Sequence, residues 1–128
     1  MKRMFALVVA TFFLASCATV DSLHRGSGGS SFQVRGKTYD EVWKASVRSM
    51  SRSLTIVQSR KELGEIKAEA RAGIATWGEV VGVFITPTRP GAAAYFVEVQ
   101  SLKRAMGQIT GQDWEESVKT SIKAELDM

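Results

Sequence analysis

Residues 65–71 (EIKAEAR) alternate without a break between apolar and charged side chains. Ile66, Ala68 and Ala70 fall on one side of an extended chain, and Glu65, Lys67, Glu69 and Arg71 on the other. This is the pattern of a strand half buried and half solvated, so its apolar side needs cover from another element. Four more segments read as strands. Residues 32–35 alternate, and residues 54–58 are short and β-branched. Residues 80–85 are apolar on both faces and are expected to be a strand covered on one side, with a bulge at Gly82. Residues 93–101 point Tyr95, Val97 and Val99 inward and Glu98 and Gln100 outward.

Cover comes from two amphipathic helices. Thr38 and Glu41 stand at the spacing of a capping box. Tyr39, Val42, Trp43, Ser46, Val47 and Met50 then recur on one helical face, which predicts a helix over 39–52. A second helix starts from a cap at Thr110 or Gly111. Its first turn carries Asp113, Glu115 and Glu116, where the helix dipole favours anions. Trp114, Val118, Ile122 and Leu126 form its apolar stripe. The expected fold is α+β, in the order β-α-β-β-β-α: a single antiparallel sheet with both helices packed on one face. Trp43 and Trp114 are expected between the layers.

The first residues belong to a different kind of sequence. Lys2 and Arg3 precede an uncharged run, residues 4–15 (MFALVVATFFLA). A basic start and a short apolar core are the anatomy of an export signal, and the run falls short of the ~20 residues that a membrane-spanning helix needs. Leu14-Ala15-Ser16-Cys17 follows, and Cys17 is the only cysteine of the chain. This tetrad resembles the lipobox of bacterial lipoprotein signal peptides. The resemblance implies a signal peptide over 1–16 and a diacylglycerol on the Cys17 thiol. Two or three buried acyl chains, at ~0.8 kcal/mol per CH₂, hold such a protein permanently on a membrane. Ala18 after the cysteine implies the outer membrane, by resemblance to enterobacterial sorting. Residues 17–31, ending in a Gly/Ser tract, are expected to be a flexible tether with a reach of roughly 20 Å. The folded domain is then 32–128.

Candidate chemistry is sparse. His24 is the only histidine and lies in the tether. With Cys17 acylated, neither a nucleophile paired with a base nor a metal-ligand cluster is expected in the domain, and no cofactor. Removing Lys2 and Arg3 from 17 basic residues leaves 15 against 13 acidic ones, too small an excess to point to nucleic acid. Two features bear on binding instead. Lys44, Arg48 and Arg52 line one side of the first helix at successive turns. Trp77 precedes the apolar strand and can anchor a partner. The expected function is a non-enzymatic binding or structural accessory module of the cell envelope, with the membrane and an envelope protein as partners. The alternative is a carrier of a small ligand or lipid, held in a cavity between helices and sheet. An enzyme using Glu79, Glu98 or Asp113 ranks behind both.

The Thr-Tyr-Asp-Glu-Val-Trp start of the first helix, the stretch Trp-Gly-Glu-Val-Val-Gly-Val-Phe-Ile and the Asp-Trp-Glu opening of the second helix carry a further resemblance. They look like small proteobacterial lipoproteins whose domain is similar to the repeated domains of BamC, an accessory lipoprotein of the outer-membrane β-barrel assembly machine. The resemblance covers about residues 32–126 and implies a fold more than a role.

Overall fold

The computed structural model describes residues 19–70, 78–103 and 113–128. The strands are β1 (Ser30–Arg35), β2 (Thr55–Arg60), β3 (Glu65–Ala70), β4 (Glu79–Pro87) and β5 (Ala94–Lys103), and the helices are α1 (Tyr39–Ser53) and α2 (Trp114–Glu125). The strands form one sheet in the order β1-β5-β4-β3-β2, antiparallel throughout. The α+β class, the single antiparallel sheet and the two helices on one face agree with the sequence. Four strands separate the helices, matching the four segments read as strands there and one more than the order β-α-β-β-β-α counts.

Alternation along the strands divides the sheet cleanly. Val34, Ile66, Ala68, Val81, Val83, Val97 and Val99 share one buried cluster with Val42, Trp43 and Met50 of α1 and with Val118 and Ile122 of α2. Both helices therefore cover the same side. Trp43 is buried there and Trp114 is half buried at its margin. The capping box of α1 forms as its spacing requires. The Glu41 amide donates to Thr38 Oγ1 at 3.1 Å, and the Thr38 amide donates to a Glu41 carboxylate oxygen at 2.8 Å.

Three local expectations differ. The cap of α2 is Asp113, whose carboxylate accepts from the Glu116 amide at 3.1 Å; Thr110 and Gly111 lie outside the described residues. Gly82 stays in regular register between Lys67 and Gln100, and the irregularity falls instead in β2, between Ile56 and Gln58. The largest difference is in the supposed tether. Residues 19–29 lie along the side of the sheet that the helices leave open, and β1 already begins at Ser30.

Candidate functional site

The segment over residues 20–29 is a strap, and composition alone hides why it docks. Val20 and Leu23 are three residues apart, so the short 3-10 turn Val20–Ser22 brings both side chains to one side. Leu23 is 0% exposed. It sits in a cluster with Val80 and Phe84, and Val20 packs beside it. Gly82 is what lets it sit so low. A Cβ on Gly82 would stand 3.2 Å from Leu23 Cδ1 and 3.0 Å from the Phe84 ring.

Polar groups fasten the rest. The His24 amide donates to Gln100 Oε1 at 3.2 Å, and Gln100 Nε2 donates back to the His24 carbonyl. The Gly26 amide donates to the Glu98 carboxylate at 3.0 Å, and that oxygen also accepts from Gln100 Nε2. Arg25 spans furthest. Its guanidinium donates to the Ile85 carbonyl at 2.8 Å, to Thr86 Oγ1 and to the Leu63 carbonyl, and lies 5.7 Å from the centre of the Phe84 ring. Gly29 ends the strap at φ +116, with its Cα so near the Val99 carbonyl that a Cβ would be 2.4 Å from the oxygen. The sequence pattern places Glu98 and Gln100 outward and offers Glu98 only as a catalytic candidate; both instead hold the strap. The apolar pair Val20 and Leu23 inside a polar stretch was the available signal.

The basic row on α1 has a different fate. Arg48 and Arg52 both turn toward Glu125 of α2: Arg48 Nη1 lies 3.7 Å from its carboxylate, and Arg52 contacts the carboxylate and the Ser121 hydroxyl. These charges help clamp the helices together. Arg48 nonetheless keeps 70% of its side chain exposed, and Lys44 is exposed. Lys37, Lys44 and Arg48 rim an open groove with Glu41, Glu125 and Asp127. Further along, Lys61 pairs with Asp40 at 2.8 Å, which holds the Asp40 carboxyl below its ordinary range and the Lys61 ammonium above its own. Trp77 and Cys17, the other two expected site residues, lie outside the described residues.

The carboxylates considered for catalysis do not converge. Glu98 holds the strap, Asp113 caps α2, and Glu115 accepts from the Ser101 amide at 3.1 Å, tying α2 to β5. Glu79 lies on the helix side of β4, only 4% exposed, and burial pushes its carboxyl above the ordinary range against the opposing pull of Lys103. Tyr39 stacks on Trp43 at 6.5 Å and tilts against Tyr95 at 5.6 Å, and its hydroxyl donates to the Lys61 carbonyl. Burial raises its pKa, with Arg25 and Lys61 pulling the other way. Among the described residues, no three His, Cys, Asp or Glu side chains come together as a metal ion would require, and no helix is long and apolar enough to cross a membrane.

No family model matches the chain, and no curated protein matches it. Among solved structures, the chain is similar to the adenylate sensor from AMP-activated protein kinase in complex with 5-aminoimidazole-4-carboxamide 1-β-D-ribofuranotide. That match has a TM-score of 0.51 at 12% identity and covers 71% of this chain and 93% of the other. A DUF4468 family protein from Bacteroides ovatus matches over 88% of each chain at 13% identity, with a TM-score of 0.33. The first likeness concerns the fold alone, and the second is too distant to carry an argument.

Proposed function

We infer that this chain is a lipoprotein of the bacterial cell envelope, anchored through acyl chains on Cys17. Its domain is a non-enzymatic binding or accessory module on the periplasmic side of the outer membrane. The observation that carries this reading is Leu14-Ala15-Ser16-Cys17, placed at the end of a basic start and a short apolar core in a chain with no other cysteine. The BamC-like sequence features support an accessory role. The exposed cations Lys44 and Arg48 offer a protein partner a place to pair with acidic groups.

Carriage of a small ligand needs an empty space between helices and sheet. Trp43, Met50, Val118 and Ile122 pack there against Val81, Val83, Val97 and Val99, which argues against that alternative. Phe84 lies on the other side of the sheet, under the strap.

The test is Cys17→Ser in cells. The expected result is a protein that keeps its signal, runs larger and carries no diacylglycerol by mass spectrometry. A serine variant that matures to the same size and stays with the membranes would overturn the reading. In-cell cross-linking of the wild type, with and without charge reversal at Lys44 and Arg48, then tests the binding role.

A further inference from the structure

We propose that the strapped side of the sheet is the surface that rests on the bilayer, with Phe96 and Leu102 at the depth of the lipid head groups and both helices turned away. The proposal rests on Cys17 being the acylated residue. It adds an orientation that the anchor alone does not give.

The argument starts from reach. Thr19 follows Cys17 by two residues, and successive Cα atoms are about 3.8 Å apart. The two Cα atoms are therefore at most about 8 Å apart, against the roughly 20 Å that a free coil over residues 17–31 would allow. From Val20 onward the strap is seated on the sheet through Val20, Leu23, Val80 and Phe84. The acyl chains thus attach to one particular side of the domain, and α1 and α2 lie on the opposite side. A domain moored so closely, at that side, brings that side to the lipid.

The side chains found there suit the position. Phe96 is 48% exposed and Leu102 is 36% exposed. Both alternate with the buried Val97 and Val99 of β5, so both point away from the helices. Aromatic and aliphatic side chains at this depth gain by entering the head-group region. Charges on the same side balance, with Arg25, Arg35, Arg60 and Lys67 against Asp21, Glu65, Glu69 and Glu98. The surface therefore meets lipid through apolar contact and the anchor, not through attraction to anionic head groups. In this pose Lys44 and Arg48 face the aqueous space, where a soluble or envelope protein can reach them.

Acylation of Cys17 makes any introduced cysteine the sole free thiol. Phe96→Cys and Leu102→Cys on the strapped side, and Lys44→Cys and Ala124→Cys on the helix side, are matured in cells as the full chain. Each is then labelled with a fluorophore and placed in phosphatidylethanolamine/phosphatidylglycerol vesicles. Positions 96 and 102 are expected to be quenched at least ~3-fold more strongly by spin-labelled lipid than positions 44 and 124. Iodide in the water should give the reverse order. Neither order should change between about 0.1 M and about 0.5 M salt. Equal quenching at all four positions, or stronger lipid quenching at 44 and 124, overturns the orientation while leaving the anchor intact. Intact mass measured on the same samples separates the two failures. A mature chain without acyl groups overturns the anchor and the orientation together. Unchanged thermal midpoints for the labelled variants establish that the fold is the same in each.

Discussion

The two sides of the sheet are built on different principles. One is covered by two helices whose apolar stripes interlock with four strands over a continuous cluster, from Val34 to Leu126. The other is covered by a single extended segment with one fully buried side chain, Leu23, and a row of hydrogen bonds from Arg25, His24 and Gly26. The first depends on many apolar contacts that form together. The second depends on one leucine and on polar geometry, so it can open locally while the helix side stays intact.

Trp43→Ala should have the largest effect. It empties the centre of the helix side and is expected to cost about 3–5 kcal/mol, lowering the midpoint of urea unfolding for the whole domain. Leu23→Ala should cost less, about 2 kcal/mol, and in a different way. Hydrogen exchange at the Gly26 amide should accelerate strongly while the β4 amides keep their protection. A Leu23 variant that loosens both regions equally would mean that the two sides are one cooperative unit.

Glu79→Gln probes the one acidic side chain buried on the helix side among the described residues. Its carboxyl titrates above the ordinary range in the folded protein, so the native state binds the proton more tightly than the unfolded chain does. Wild-type stability should therefore fall as pH rises from the ordinary carboxylate pKa through the raised one, and stay lower above it. The glutamine variant should lack that fall and gain about 1 kcal/mol at pH 8, measured as unfolding midpoints across pH 4–8. Ser49→Ala should have the smallest effect. The Ser49 hydroxyl is buried in α1 without a hydrogen-bond partner among the described residues. Its removal should stabilise the helix side by about 0.5–1 kcal/mol by calorimetry, with no change at the strap.

The same contrast explains what was legible in the sequence. Helix-side elements announce themselves through period: the alternation of residues 65–70, the stripe from Tyr39 to Met50 and the Thr38–Glu41 box take the forms their spacing requires. The strap has no period. Its Gly/Ser composition describes a chain with little reason to order, and its docking depends on Val80, Gly82 and Phe84, far along the sequence. The double-sided apolar character of residues 80–85 was the visible half of that contact, but cover is expected there on one side only; Val80 and Phe84 take Leu23 while Val81, Val83 and Ile85 take the helices. The Glu125 clamp on Arg48 and Arg52 was also hidden, because the row on α1 carries no sign of the carboxylate that α2 brings to it.

Leu23 meets its partners roughly sixty residues further along the chain, at Val80 and Phe84. A contact that distant closes late, once β3, β4 and β5 have been assembled. While the polypeptide is still emerging, residues 19–29 have no finished sheet to settle on. Completion of the sheet then buries Leu23 and ties down His24 and Gly26. Seating of Leu23 thus marks a finished sheet, because its partners on β4 come into place only when that strand has its neighbours.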